Sequence, residues 1–450
     1  MLICVKHWCY IPYVLKDDKG MRRGYHSSMQ KPKRIILKNG MRLVLVPQKE
    51  SLATTVLISV EAGSKYETKE VNGISHFLEH MCFKGTTKRP RPIDVVSELD
   101  GLGAQYNAFT GQELTSYYAK VKSGNAEKII NVIADMYMNP VFDPAEIERE
   151  KGVIIQEINM YEDTPARRVS DLFMGLVYGD QPAGWDVAGR KEVIEKITRD
   201  DFINYRKKHY VPQATIAVVA GAFNPREMVK KIEFYFSALS AGRKGSKLKT
   251  IELQKKPREL VHYKKSDQTH LILGFRAFGM HDKRRYALEV LAEVLGGGMS
   301  SRFFQTIREE LGAAYYVGAS ADLLSDHGLF TMFAGADHTK IGQVISTALR
   351  EFKRVTEELI STRELKMAKE HLLGNLFLSL ETSDQLAYYY GMQEAMRETL
   401  MAPSEVAAKI KSVTPAEIRA VSRALVRNDR LNLAVIGPFK NKSFLDIVKV

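Results

Sequence analysis

The segment Gly73-Ile-Ser-His-Phe-Leu-Glu-His-Met-Cys-Phe-Lys-Gly85 carries His76, Glu79 and His80 in a His-x-x-Glu-His spacing. At about 100° per residue, a helix here gathers Ile74, Phe77, Leu78 and Met81 in one sector and His76, Glu79, His80 and Phe83 in the opposite one. Two imidazoles four residues apart then meet on one turn, where they suit a single Zn²⁺ as nitrogen ligands, and the carboxylate between them can reach a water beside such an ion. A half-buried helix could equally hold two histidines and a glutamate that satisfy one another or face solvent. A third ligand decides between the two.

Glu157 is the candidate. Its helix starts at Asp143-Pro144-Ala145-Glu146, with an N-cap aspartate, proline at the first helical position and a glutamate at N3 that would complete a capping box. Ile147, Ile154 and Ile158 form one apolar stripe, and Glu150 and Glu157 fall in the sector between that stripe and Val153. Carboxylates partly buried there need partners, because burial alone would raise their pKa and neutralise them. A divalent cation is one such partner; Arg149, Lys151 or a buried arginine is another.

Between His80 and Glu157 lie 76 residues, and Glu150 stands seven before Glu157. Together with the His-x-x-Glu-His segment, this pattern resembles the pitrilysin/insulinase family of inverted zinc peptidases, which includes mitochondrial processing peptidase. The resemblance covers nearly the whole chain after about residue 33. It implies His76, His80 and Glu157 as ligands of one Zn²⁺ per chain, Glu79 as general base, and Glu150 as a second carboxylate supporting the catalytic site.

Further along, Arg302 to Tyr316 follows a Gly296-Gly297-Gly298 loop and is similar to the family's arginine and tyrosine segment, which implies that Arg308 and Tyr315 reach the substrate. On their own they read as a salt-bridging arginine and a packed edge aromatic. Asn107-Ala108-Phe109 is similar to the edge strand along which a peptide adds as an extended strand. The resemblance therefore implies a metalloendopeptidase acting on peptides or unfolded polypeptides in an enclosed chamber. Four such domains make the chamber in the family and this chain would supply two, which implies a homodimer or a heterodimer with a homologue. The alternative is a non-catalytic peptide-binding chain, or the partner subunit of a heteromeric processing peptidase.

The elements that must position these residues show in the apolar patterning. Asn39-Gly40 supplies a tight turn between the apolar runs of Arg34 to Val46, so the fold opens with a hairpin. Thr54 to Glu61 reads as a strand, Ile93 to Leu99 as a helix, and Gln105 to Val121 as strands. The chain also repeats itself. Ile197-Thr-Arg-Asp-Asp-Phe leads to Ile216 to Gly221 as Val413-Thr-Pro-Ala-Glu-Ile leads to Leu433 to Gly437, and Leu102-Gly103-Ala104 is echoed by Leu311-Gly312-Ala313. Ordered matches at nearly one offset indicate a duplicated unit. In the second copy Arg285 and Glu289 stand where His76 and His80 would fall, so only one half can bind the metal. The expectation is an α+β chain of two duplicated domains, each a largely antiparallel sheet with helices packed on it. Residues 1–32 read as an extension, 33–237 as the metal-bearing domain, 238–256 as a linker and 257–450 as the second domain.

Composition sets the bounds. A chain of 450 residues with 45% hydrophobic and 26% charged residues can bury two sizeable cores. Three cysteines, Cys4, Cys9 and Cys82, make no disulfide framework, which favours a reducing compartment; Cys82 reads as a small core residue. We expect the cytoplasm, since Asp17 and Asp18 do not suit a mitochondrial presequence. The net charge of +13 is spread along the chain without a nucleic-acid motif, so nucleic acid is not an expected partner. No apolar run is long enough for a transmembrane helix.

Overall fold

A computed structural model describes residues 31–239, 241–396 and 399–450. Residues 1–30 of the expected extension lie outside the described residues. Gly40, at φ +91°, turns the chain between β1 (Lys33–Ile36) and β2 (Arg42–Pro47), which pair antiparallel with Lys33 opposite Leu45. With β3 (Ala53–Val60), β4 (Gln105–Thr110), β5 (Thr115–Lys122) and β6 (Thr215–Gly221) they form a sheet ordered β1-β2-β6-β3-β5-β4. A second sheet contains β7 (Arg258–Tyr263), β8 (Thr269–Ala277), β9 (Ala314–Leu323), β10 (Gly328–Ala336) and β11 (Leu431–Gly437), ordered β7-β11-β8-β10-β9.

With β1 set aside, the two orders match strand for strand. The β2–β6 and β7–β11 pairs are parallel and the remaining pairs antiparallel. The Leu-Gly-Ala echo has a structural cause: Gly103 (φ +62°) and Gly312 (φ +53°) adopt the left-handed conformation just before the edge strands β4 and β9. The chain is α+β with two duplicated sheets, each carrying helices.

Alternation along the strands divides the core between two faces. On β3, Val56, Ile58 and Val60 pack with Ile74, Phe77, Leu78 and Met81, while Leu57 packs on the other face with Val44, Val46, Ile216 and Val218. That other face is covered from the second half of the chain, by Leu386, Ala387 and Tyr390 of the helix Ser383–Ala395. Gly391 lets this helix sit close, since a Cβ there would lie 2.8 Å from Leu57 Cδ2. Glu394 of the same helix accepts from Arg42 on β2. In return Val169, Phe173 and Val177 of the helix Pro165–Tyr178 cover Ile272, Leu329, Ala434 and Ile436 of the second sheet. Each half thus lends one helix to the other's sheet. A strand buried on both faces reads as a continuous apolar run, and such a run does not say which helix covers it.

The stretch expected to be a linker is irregular but tied to both halves. Lys244 pairs with Glu61, Lys247 with Glu113, and Gln254 donates to the Leu431 carbonyl at 2.8 Å. Lys65, 1% exposed, pairs with Asp326 and donates to Thr250 Oγ1 at 2.7 Å. Burial alone would raise the Asp326 pKa, but bonds from His327, Lys65 and the Thr250 amide hold it well below the usual carboxylate range.

Upstream of the histidine helix, the buried Glu67 satisfies the chain where the helix begins. Its carboxylate accepts from the amides of Gly73 at 2.8 Å and Ser75 at 2.9 Å and from Asn72 Nδ2 at 2.9 Å. These amides belong to the first turn, where no intrahelical acceptor exists.

Two outcomes follow. Asp326→Asn should deprive the buried Lys65 amine of its carboxylate partner, lowering stability at neutral pH by about 3–5 kcal/mol as read from urea midpoints. Because the folded pKa of Asp326 is depressed, its contribution is whole above an ordinary carboxyl pKa of about 3.9 and drains away as pH falls, so variant and wild type should converge in acid. Glu67→Ala should cost at least about 2 kcal/mol in thermal unfolding, because three donors lose their acceptor.

Candidate active site

The helix Ile74–Met81 buries Ile74, Phe77, Leu78 and Met81 and turns His76, Glu79 and His80 to its half-buried opposite face. Against that face lies the helix Pro144–Glu162, capped by Asp143, whose carboxylate accepts from the amides of Ala145 at 2.7 Å and Glu146 at 3.4 Å. The expected capping box does not close. Glu146 pairs forward with Arg149, because a guanidinium is a stronger partner for a carboxylate than the N-cap amide. Lys151 pairs with Glu148 at 2.7 Å. Neither flanking cation is therefore spent on Glu150 or Glu157.

One ligand atom from each of His76, His80 and Glu157 lies within 4.8 Å of the others. Glu157 Oε1 is 3.7 Å from His76 Nε2, and Glu157 Oε2 is 3.5 Å from His80 Nε2. These gaps are too long for hydrogen bonds and close to the edge of about 3.4 Å that a tetrahedron of nitrogen and oxygen ligands around Zn²⁺ requires. Glu157 Oε2 and His76 Nδ1 are buried with no hydrogen-bond partner among the described residues. Glu157 Oε1 accepts from the Tyr161 hydroxyl, and Arg167 stacks on the Tyr161 ring at 4.9 Å.

Glu150, 2% exposed, stands behind His80, with its Oε1 2.9 Å from Nδ1, and its Oε2 is 2.5 Å from Lys84 Nζ. Burial would raise its pKa; the bonds to His80 and Lys84 reverse that and hold it below the ordinary range. Burial, with the nearby charges of His80 and Arg167, takes the His76 pKa down to about 3, so its ring is neutral. His80 goes the other way: burial favours its neutral form, but Glu150, Glu79 and Glu157 together raise its pKa. Glu79 is pushed up to about 7 by burial, against the pull of a hydrogen bond from Thr110 Oγ1 at 2.5 Å. Three carboxylates around two imidazoles make a pocket suited to a cation.

The proposed peptide-contacting residues come from both halves of the chain. Asn107, Ala108 and Phe109 sit on β4, which among the described residues pairs only with β5 and so ends its sheet. The Ala108 amide donates to Asn107 Oδ1 at 2.9 Å, and the Phe109 ring meets Tyr388 of the exchanged helix at 5.7 Å. Arg308 lies in Phe304–Glu310, wound as a π-helix, and packs over the rings of Phe304 at 4.8 Å and Tyr315 at 5.8 Å. Tyr315 is 73% exposed. Among the described residues neither makes a hydrogen bond or ion pair with the histidine helix. In the second half Arg285 packs on Tyr286 and donates to the Met280 carbonyl at 3.1 Å.

Three partners went unseen in the sequence, and two of them carried a local signal. Tyr161 is four beyond Glu157 on one helix, the spacing of neighbours, whereas Lys84 lies past the end of the histidine helix and reaches Glu150, 66 residues away, with no local mark. Thr110 is two beyond Ala108, on the same face of its strand.

Residues 43–190 match the model of the insulinase family (peptidase family M16), and residues 196–372 match the model described as the peptidase M16 inactive domain. That second stretch is the one in which Arg285 and Glu289 replace the histidines. An uncharacterized zinc protease of Bacillus subtilis, YmxG, is 34% identical over 410 residues, covering 91% of this chain and 99% of its own. A second, from Rickettsia felis, is 34% identical over 411 residues and covers 91% and 98%. The crystal structure of a protease from Helicobacter pylori superposes with a TM-score of 0.86 over 91% of this chain and 100% of its own, and at 20% identity it shows a shared fold. Similarity along this length, spanning the half that holds the two histidines and Glu157, makes the chain a member of the insulinase family, peptidase family M16.

Proposed function

We propose that the protein is a zinc-dependent metalloendopeptidase that hydrolyses peptides or unfolded polypeptides. The observation carrying this reading is the convergence of His76, His80 and Glu157 from two helices to within 4.8 Å. The site fits the ion: each imidazole lies near co-ligand separation from the Glu157 carboxylate, a buried Glu157 oxygen has no donor among the described residues, and three ligands leave the donor set open to a fourth. A Zn²⁺ held there would supply Lewis acidity, polarising a peptide carbonyl and making water a nucleophile near neutral pH.

The chain's own residues divide the remaining work. Neutral His76 keeps a lone pair for ligation, and Glu150, itself anchored by Lys84, fixes the His80 ring through Nδ1. Glu79, with its pKa near 7, is suited to take a proton from the attacking water and return it to the leaving amine. The open edge of β4 at Asn107, Ala108 and Phe109 suits an extended peptide, which favours unfolded substrates over folded ones. Arg308 and Tyr315 would contact that peptide from the second half, the exposed Tyr315 hydroxyl serving as a donor to a developing oxyanion. A second chain, identical or homologous, would complete a four-domain chamber, and we place the enzyme in the cytoplasm. A purely peptide-binding role would leave the buried carboxylates around two histidines without a purpose.

Glu79→Gln should keep its zinc by elemental analysis and lose chelator-sensitive peptide turnover by about 100-fold or more; near-normal turnover would remove Glu79 from the mechanism. Glu150→Gln should weaken zinc affinity by about 10–100-fold in competition titrations, since His80 loses its ionic support. Unchanged affinity would show that His80 needs no such partner.

A further inference from the structure

We infer that Thr110 is a positioning residue for Glu79, tying the proton-handling carboxylate to the strand on which the peptide would seat. The inference rests on the hydrolytic reading above and extends it to a residue outside the motif. Thr110 closes β4, and its hydroxyl lies 2.5 Å from Glu79 Oε2 and 3.4 Å from Thr115 Oγ1. A threonine hydroxyl has one proton to give. The Thr115 hydroxyl donates to the Ala62 carbonyl at 3.1 Å, so it has none to return. The shorter contact, to a carboxyl oxygen, therefore takes the Thr110 proton.

This bond is the one hydrogen bond to the Glu79 side chain among the described residues. It occupies Oε2 and leaves Oε1 as the atom free to exchange a proton. The geometry of β4 makes the arrangement more than local. Ala108 and Thr110 face the histidine helix, whereas Phe109 faces the exchanged helix Ser383–Ala395. The strand whose outer edge is open to a peptide backbone thus holds, on its inner face, the residue that orients the base. A peptide that pulls β4 into register would set the distance between its own scissile bond and Glu79 through this single hydroxyl.

The test compares Thr110→Val, which keeps shape and removes the hydroxyl, with Thr110→Ser, which keeps the hydroxyl. The probe is a quenched-fluorescence peptide selected from a library by the wild-type protein. The expected result for Thr110→Val is a fall in kcat of roughly 10–100-fold with KM, zinc content and melting temperature unchanged, and recovery of most of kcat in Thr110→Ser. A rise in KM at constant kcat, equal rates in Thr110→Val and wild type, or failure of Thr110→Ser to recover would overturn the inference. Crystal structures of the two variants supply a readout free of turnover. The Glu79 carboxylate should leave its position in Thr110→Val and hold it in Thr110→Ser, and a Glu79 unmoved in Thr110→Val would overturn the inference. A wild-type protein without chelator-sensitive turnover would instead sink the hydrolytic reading, while the crystallographic comparison would still decide the role of Thr110.

Discussion

Negative charge confined at the meeting of two helices is the constraint on which the rest of the structure depends. Glu79, Glu150 and Glu157 surround two imidazoles in a half-buried space, and Lys84 answers only one of them. Burying carboxylates without a counter-charge is costly, and a folded chain tolerates it when a cation is available or when the groups neutralise. The divergent pKa values fit this. Glu150, with two donors, is held ionised, while Glu79, with one, is pushed towards neutrality.

Holding the two helices at this separation requires support from several levels. Glu67 anchors the start of the histidine helix, and Asp143 anchors the start of the glutamate helix. Phe77 packs edge-on against Phe202, and Phe142 stacks on Phe202, so the connections around the two helices share one aromatic cluster. The sheet beneath is closed on its far face by a helix from the other half of the chain. Side chains on rigid, mutually packed elements can keep a ligand geometry that a loop would blur.

The duplication gives two halves with one topology and different chemistry. In the first, the helix after β3 presents histidines to a glutamate helix; in the second, Arg285 and Glu289 stand at those positions. Exchange of the helices Pro165–Tyr178 and Ser383–Ala395 joins the halves through apolar faces, and the strap Lys244 to Gln254 joins them through buried ion pairs and hydrogen bonds. The half in which Arg285 and Glu289 stand in place of the two histidines is thereby fixed against the half that carries them, and Arg308 and Tyr315 are carried on it.

Much of the local structure was legible in the sequence. The sector of Ile74, Phe77, Leu78 and Met81, the Asp143 cap, the Asn39-Gly40 turn and the repeated Leu-Gly-Ala follow from periodicity and from backbone preferences of neighbouring residues. Those preferences act over a few residues and are written in their order. The failure of Glu146 to close its capping box already marks the limit, since it turned on a side-chain rotamer facing Arg149. Only the tertiary structure decided that Glu157 meets His76 and His80 across 76 intervening residues, that Thr110 grips Glu79, and that each half covers the other's sheet. Such contacts depend on which packing of all the elements buries the most apolar surface while leaving the fewest polar groups unpaired, and no short stretch of sequence carries that comparison.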